Sequence, residues 1–307
     1  MLGSGAFGKV FKTFNKHNKE HIVAIKVMNK AKLSDHLDAI QEEIEILTKL
    51  DHPNIVRYYE TYIDEKYIYL VMEYIGGGEL FDKITAQENQ VFTEDMAAHY
   101  MKKLFSALNH MHAKGIIHRD IKPENIMITA TDEIKIIDFG LSKRQKKGEK
   151  LHNVAGTPYY MAPEVLDGEY DNKCDVWSLG VLLYVLMSGY LPFQGANRGE
   201  VFSKIKKAKY HFNHEEFKVC TPLVIDLIKK LLVIDPKKRL TAGQALQHEW
   251  FKKIESHCKA HNHQHKDINR DVMVRLGQFK GTSVLKKAAM NMLVKMVDRE
   301  KIRDLKV

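Results

Sequence analysis

Short hydrophobic runs separated by polar residues occur at two places in the chain and predict paired β-strands. Residues 10–14 and 22–28 are mostly apolar, and a polar stretch at residues 15–21 lies between them. Residues 126–128 and 134–137 flank a second short polar stretch in the same way. Each pattern is typical of a β-hairpin.

Residues 37–50 show a different pattern, in which apolar side chains recur three or four positions apart. This spacing predicts an amphipathic helix whose buried face carries Ile40, Ile44, Leu47 and Leu50. Glu43 lies beside that face, whereas Glu42 and Glu45 are expected in solvent.

Residues 176–193 are eighteen consecutive uncharged positions, a length that could suggest a transmembrane helix. Small and polar residues interrupt this run, namely Ser178, Gly180, Ser188, Gly189 and Pro192. We therefore expect a buried helix of a globular protein and no transmembrane segment.

Three glycines near the start of the chain, Gly3, Gly5 and Gly8, lie between Leu2 and Val10. Because glycine has no Cβ, backbone amides in such a loop can approach phosphate groups closely. The same spacing occurs in dinucleotide-binding folds, but there a helix follows the loop. Here a predicted hairpin follows it, which favours a loop that covers a nucleotide from the end of two strands.

Lys26 lies inside the second predicted strand, among apolar residues. An unpaired ammonium group would be costly there, so Lys26 needs an anion. Glu43 of the predicted helix is the favoured partner, and the α- and β-phosphates of a nucleotide would be further anions.

Residues 118–125 have the sequence HRDIKPEN, and Asp138 begins a DFG tripeptide thirteen residues after Asn125. These residue types and spacings suit phosphoryl transfer from Mg-ATP. Asp120 can orient a hydroxyl and accept its proton, and Lys122 can offset charge on the transferred phosphoryl group. Asn125 and Asp138 supply the hard oxygen ligands that Mg²⁺ prefers.

Together these motifs resemble the eukaryotic protein kinase catalytic domain over residues 1 to about 252. Further matching pieces are APE at residues 162–164, DVWSLG at residues 175–180, and Arg239, which by analogy pairs with Glu164. In that family the lysine of the HRD loop and a Gly-Thr-Pro tripeptide, here residues 156–158, mark serine/threonine rather than tyrosine kinases.

The resemblance implies an α+β fold with two lobes. A small antiparallel-sheet lobe would comprise residues 1–74 and a mostly helical lobe residues 76–252, with ATP between them and residues 253–307 as a regulatory extension. The uncharged run at residues 176–193 would be the central helix of the large lobe. The family's first strand begins several residues before the glycine loop, so part of that strand is expected to lie outside this chain.

The resemblance also implies the ligand contacts. The expected nucleotide contacts are Leu2, Gly3, Gly5, Gly8, Val10, Ala24, Lys26, Met72, Glu73, Ile75, Glu79 and Met127. Met72 would line the back of the adenine pocket, and Glu73 and Ile75 belong to the hinge. Glu79 and Glu124 would face the ribose and the substrate. Because a carboxylate favours a bidentate guanidinium, we expect protein substrates with Arg about three residues before the Ser or Thr.

No Ser, Thr or Tyr occurs from residue 143 to residue 156. Asn153 stands where many family members carry a phosphorylated threonine, and Thr157 would shape the substrate site. The resemblance therefore implies activity without phosphorylation of this segment.

Composition narrows the class of protein further. The 307 residues are 44% hydrophobic and 28% charged, which is ordinary for a globular protein. The three cysteines, Cys174, Cys220 and Cys258, are odd in number and far apart, so we expect no disulfide framework and a cytoplasmic location. Membrane association through residues preceding Met1 is left open.

The histidine-rich residues 257–265 lack a separated ligand pair, which favours a solvated linker over a metal site.

The net charge of +9 does not indicate nucleic-acid binding, because aromatic and basic residues are not interleaved and no nucleic-acid module is recognisable. Much of the surplus lies in residues 266–307, which carry eleven Lys or Arg against five Asp or Glu. Within this tail, apolar residues recur at helical spacing, namely Leu285, Ala288, Ala289, Met292, Leu293 and Met296. A basic amphipathic helix of this kind fits the groove of an EF-hand protein.

Residues 278–289 resemble the junction segment of calcium-dependent protein kinases of plants and protists, in which four EF-hands follow. No EF-hand loop motif occurs in this chain, so the calcium sensor is expected outside it, as its own missing domain or as calmodulin. An inactive ATP-binding scaffold is a third alternative, although Lys26, Glu43, Asp120, Asn125 and Asp138 are all present.

Overall fold

The computed structural model describes residues 1–4, 8–33, 37–80, 82, 93–146 and 148–260. Its N-terminal part is an antiparallel sheet with the strand order β1-β2-β3-β5-β4. The strands are β1 (Gly3–Ser4), β2 (Lys9–Asn15), β3 (Asn18–Asn29), β4 (Tyr58–Ile63) and β5 (Tyr67–Glu73). The first predicted hairpin is confirmed, but the predicted turn was too long. Only Lys16 and His17 separate its strands, because the polar residues on either side still pair across the ladder.

Helix α1 (Leu37–Lys49) is the one predicted from the spacing of apolar residues. Ile40, Leu47 and Leu50 are buried as expected, but Ile46 is fully buried and Ile44 only partly. The apolar face is thus rotated slightly from the one that the pattern predicted. This rotation accompanies the burial of Glu43, which lies on the same inner side.

The rest of the described chain is mostly helical. The helices are α2 (Glu94–Ala113), α3 (Pro163–Asp167), α4 (Lys173–Ser188), α5 (Arg198–Lys206), α6 (Pro222–Leu231), α7 (Ala242–Leu246) and α8 (Glu249–Ala260). Two small two-stranded antiparallel sheets accompany them, β6 (Ile116–Ile117) with β9 (Lys143–Arg144) and the hairpin of β7 (Ile126–Ile128) with β8 (Ile134–Ile136). The second predicted hairpin is therefore confirmed.

Helix α4 is the buried helix that the uncharged run predicted. Every residue from Cys174 to Ser188 is buried, and Gly189 ends the helix with a left-handed φ of 74°. A Cβ on Gly180 would lie 2.8 Å from the Cβ of Leu231, so glycine permits the close approach of α4 to α6. Among the described residues, no helix is long and apolar enough to cross a membrane.

The sheet is joined to the helical part through the segment between α1 and β4. Asn54 donates from Nδ2 to the carbonyl of Ile134 at 2.9 Å, and its own carbonyl accepts from the amide of Ile136 at 2.9 Å. The amide of Val56 donates to the Ile136 carbonyl at 2.9 Å. These bonds tie the end of α1 to the hairpin that follows the HRDIKPEN loop. The expected α+β fold with a sheet lobe and a helical lobe is confirmed.

Candidate active site

The HRDIKPEN loop connects β6 to β7 and holds the carboxylate of Asp120 in a network of donors. Thr157 donates from Oγ1 to Asp120 Oδ1 at 2.7 Å. Lys122 Nζ lies 2.8 Å from Asp120 Oδ2, and Asn125 donates from Nδ2 to the same oxygen at 3.0 Å. Lys122 also donates to Thr157 Oγ1 at 3.0 Å. Three predicted or implied site residues therefore bind and orient the carboxylate of Asp120.

Asp175, at the start of α4, holds the backbone of this loop in place. Its carboxylate accepts the amides of His118 and Arg119 at 2.9 and 2.8 Å, and His112 Nε2 lies 2.9 Å from it. Burial opposes the charge of Asp175, but the bond and charge of His112 outweigh it and lower the pKa of the carboxyl. Arg119 adopts a left-handed φ of 68°, which these two amide bonds help to maintain. This role of Asp175 was not predicted, although an acidic residue directly before an uncharged run was a usable signal.

Lys26 and Glu43 form the expected ion pair across the small lobe. Lys26 Nζ donates to Glu43 Oε1 at 2.6 Å and lies 3.6 Å from Asp138 Oδ1. Burial disfavours the Lys26 ammonium, but the two carboxylates outweigh it and raise the pKa of Lys26 above its usual range. The lysine therefore carries a permanent charge where the sheet, α1 and the DFG segment converge.

Asp138 and Asn125 are suitable ligands for a hard cation. The Asp138 side chain is 54% exposed towards the cleft. Desolvation opposes its ionisation, but Lys26 and the Gly140 amide lower the pKa of its carboxyl. Asn125 uses Nδ2 for Asp120, and its amide oxygen accepts no hydrogen bond from the described residues. One carboxylate and one free amide oxygen are the donor set that Mg²⁺ takes beside phosphate oxygens and water.

The glycine loop is only partly described, and Gly5 lies outside the described residues. The Leu2 amide donates to the Val10 carbonyl at 2.8 Å, which closes the base of the loop. A Cβ on Gly8 would lie 2.3 Å from the Val27 carbonyl oxygen. Gly8 is thus required by packing against β3.

The expected adenine pocket is assembled by strand register. Val10 pairs with Lys26, and Ala24 pairs with Met72, so the side chains of β2 and β3 at these positions share the face that carries Lys26. The chain then passes through Ile75, which is buried.

Two further nucleotide contacts implied by the resemblance come from different parts of the chain. Glu79 forms an isolated bridge with Met127 of β7, which places Met127 at the junction of the two lobes. Glu73 uses its carboxylate for Lys135 at 2.9 Å and for the Arg57 amide at 3.2 Å, and its own amide donates to the Arg57 carbonyl at 2.8 Å, so neither the carboxylate nor the amide is available to a nucleotide.

Comparison with known proteins agrees with this geometry. Residues 1–251 match the protein kinase domain family. The chain belongs to the protein kinase family. It is 41% identical over 312 residues to calcium-dependent protein kinase 3 of Plasmodium yoelii yoelii, with 99% of this chain and 56% of that protein covered. It is 40% identical over 303 residues to calcium-dependent protein kinase 4 of Plasmodium falciparum, with 94% and 55% covered. The kinase chain thus spans about half the length of the curated relatives it matches.

Arg119 contacts the activation segment of this kinase, residues 138–164, and the two groups that accept its hydrogen bonds are uncharged. Arg119 donates from Nε to the Leu141 carbonyl at 2.6 Å and from Nη1 to the Tyr170 hydroxyl at 3.1 Å. The Tyr170 hydroxyl in turn donates to the Asn153 carbonyl at 2.6 Å. Sequence reasoning missed Tyr170, because no local pattern relates it to Arg119.

The kinase also contains the buried pair that the resemblance implied. Arg239 donates from Nη1 and Nη2 to the two carboxylate oxygens of Glu164 at 2.6 and 2.9 Å. Its guanidinium lies 5.0 Å from the ring centroid of Trp177. This pair ties the end of the activation segment to the helical lobe.

Two predictions about the acidic residues of α1 and about the tail have different outcomes. Glu42 was expected in solvent, and this is wrong because it accepts hydrogen bonds from Lys143 and from the Arg144 amide. The predicted helix at residues 285–296 and the histidine-rich residues 261–265 lie outside the described residues.

Proposed function

We propose that this chain is a serine/threonine protein kinase that transfers the γ-phosphoryl group of ATP to hydroxyl groups of proteins. The observation that carries the proposal is the Asp120 carboxylate with Thr157, Lys122 and Asn125 within 3.0 Å of its oxygens. A carboxylate oriented in this way can accept the proton of an attacking hydroxyl. By resemblance to the family, two features favour serine or threonine as the acceptor. They are Lys122 and the Gly-Thr-Pro tripeptide that contains Thr157.

The site residues would have three further roles in addition to that of Asp120. Lys26, kept charged by Glu43, would orient the α- and β-phosphates. Asp138 and Asn125 would hold Mg²⁺, which offsets negative charge on the phosphate oxygens. Lys122 would stabilise the charge that develops on the transferred group. All of these contributions are positional and electrostatic, as expected for phosphoryl transfer.

Substitution of the acidic residues tests this proposal. Asp120→Asn should retain ATP binding and lower kcat by about two to four orders of magnitude, the usual effect of removing a positioned base. Asp138→Asn should instead weaken the use of Mg-ATP, seen as a raised magnesium requirement. Asp51→Asn, an exposed position away from the cleft, is the matched control. Near-normal turnover of the Asp120 variant would exclude Asp120 as the base.

The proposed substrate is a basic protein segment. Glu79 lies at the bridge to Met127 between the lobes, and Glu124 lies in the loop that carries Asp120. Both carboxylates favour an arginine about three residues before the acceptor, because a guanidinium can bind bidentately. A peptide series with Arg, Lys and Ala at that position should give activity in that order. Equal activity with Ala would exclude the preference.

Calcium regulation is the finer part of the proposal, supported by the relatives' names and by the tail sequence. Residues beyond about Lys266 would obstruct the kinase domain without calcium, and an EF-hand partner would capture residues 283–297 when calcium rises. Capture can shift the kinase only by the difference in affinity between the two states. Polar substitutions of Leu285, Met292 and Met296 in the full-length protein should therefore abolish the calcium dependence of activity. Calcium-dependent capture of the present chain by calmodulin would instead favour a separate sensor.

A further inference from the structure

An ion-paired link joins helix α1 to the activation segment. Glu42 of α1 accepts from Lys143 Nζ with Oε2 and from the Arg144 amide with Oε1, the latter at 3.1 Å. The Glu42 and Lys143 side chains are 23% and 34% exposed, so both are partly shielded from solvent. A charged side chain and a backbone amide therefore bind the same carboxylate, which restrains its position more than a single surface ion pair would.

The position of this link relates it to both parts of the active site. Lys143 and Arg144 form β9, which begins five residues after Asp138. Lys143 pairs with Ile117 of β6, the strand that leads into the loop carrying Asp120. A contact that holds β9 in place therefore also holds β6, the strand that leads into the catalytic loop.

Glu42 and Glu43 are consecutive residues of α1, and their carboxylates bind different partners. Glu43 binds Lys26 of β3 at 2.6 Å, and Glu42 binds β9. A helix that moved away from the sheet would lose both contacts. The two contacts therefore favour the same placement of α1, the one in which Lys26 is paired.

The link depends on permanent charges. The activation segment supplies Lys143 and Arg144 to an acidic helix, and no Ser, Thr or Tyr occurs from residue 143 to residue 156. Glu45, one turn away, lies 3.9 Å from Arg144, but both side chains are about half exposed. Such an exposed contact contributes little, so Glu42 is the residue of this acidic face on which the link depends.

We propose that Glu42 is a positioning residue for phosphoryl transfer, which holds α1 against the activation segment through Lys143 and the Arg144 amide and thereby keeps Glu43 on Lys26. The proposal rests on the kinase function proposed above. It explains how α1 can be held in place without a phosphorylated residue in the segment.

The test uses two single variants, Glu42→Gln and Lys143→Glu, and one double variant in which the charges are exchanged, Glu42→Lys/Lys143→Glu. Glu45→Gln is the control on the same helix. Each single change should lower kcat/KM for a serine peptide about three- to tenfold, the range for a charge-assisted contact discounted for exposure. The loss should be accompanied by a higher KM for ATP, because Lys26 orients the phosphates. The exchanged pair should recover part of the loss, and Glu45→Gln should behave as wild type.

Amide hydrogen exchange of residues 37–49 provides a readout that needs no catalysis. Exchange should be faster in Glu42→Gln than in Glu45→Gln, with unchanged exchange in α4. Wild-type kcat/KM in Glu42→Gln together with unchanged exchange would overturn the proposal, as would an exchanged pair no better than either single variant. Absence of peptide phosphorylation by the wild-type full-length protein, both with and without calcium, would instead refute the kinase function, while the exchange experiment would still judge the link.

Discussion

Gly156 provides a sharp test of how the activation segment supports the catalytic loop. Its φ is +112°, a value that favours glycine, and a Cβ built there would lie 2.4 Å from the carbonyl oxygen of Arg119. Gly156→Ala therefore adds both backbone strain and a clash with the residue that precedes Asp120. Gly148 has a similar positive φ of +82°, but a Cβ there would meet no atom of the described residues within 4 Å. Gly148→Ala is thus a control that carries the strain without the clash.

The two substitutions should differ in size and in kind. A non-glycine residue at positive φ costs about 1 to 2 kcal/mol, which is all that Gly148→Ala should lose. Gly156→Ala should lose about 3 kcal/mol or more, because the Arg119 carbonyl must also move. Moving that peptide displaces Asp120, and a misplacement of about 1 Å can cost roughly 100-fold in rate.

Thermal unfolding and peptide phosphorylation measure these effects separately. Trp177 and Trp250 are fully buried, so their fluorescence reports unfolding. At about 2 to 4 °C per kcal/mol for a domain of this size, the midpoint should fall by about 6 to 12 °C in Gly156→Ala and by less than about 8 °C in Gly148→Ala. Among the molecules that remain folded, kcat should fall about 30- to 100-fold in Gly156→Ala and stay near wild type in Gly148→Ala. Equal midpoints and equal kcat values in the two variants would show that a Cβ at position 156 does not displace the Arg119 carbonyl.

Three other predictions concern different parts of the molecule. Arg239→Lys should lower the free energy of unfolding by about 3 to 5 kcal/mol in urea titrations, because lysine cannot donate the two parallel hydrogen bonds that the buried Glu164 carboxylate accepts. Lys218→Met, which removes an exposed ion pair, is the control and should leave the urea midpoint unchanged. Burial lowers the pKa of His52 and His110 below the ordinary value of 6.5. The unfolded chain therefore takes up protons at higher pH than the folded chain, so the unfolding temperature should fall between pH 7.5 and pH 5.5. His110→Gln should make this fall smaller. A larger fall in the variant would contradict a lowered pKa of His110 in the folded chain. Phosphatase treatment should leave activity intact because Arg119 already bonds Leu141 and Tyr170; loss of activity that returned on rephosphorylating this segment would contradict this.

Local patterns predicted much of the secondary structure and of the chemistry. The two hairpins and α1 were predicted from runs of apolar residues, because strand pairing and helix amphipathicity are properties of short segments. Lys26 was recognised because a charge inside an apolar strand must have a partner. Lys122 and Asn125, which approach Asp120, were recognised because their types and spacing suit one reaction, whereas Thr157 was named only through the resemblance to protein kinases.

Other features depended on residues far apart in the chain. The role of Glu42 was predicted wrongly, since its partners Lys143 and Arg144 follow it by about a hundred residues and no periodicity relates them. The exact inner face of α1 also differed, because burial of Glu43 and Ile46 is decided by what packs against the helix.

Residue type and local spacing specify donors, acceptors and charges, so the groups available for chemistry could be predicted from the sequence. How those groups are held depends on contacts between elements that are far apart in the chain. Asp175 fixes the loop of Asp120 across 56 and 57 residues of chain, and Tyr170 lies between Arg119 and Asn153. Such contacts arise from packing of separate elements, so their geometry is a property of the folded chain and not of any segment of it.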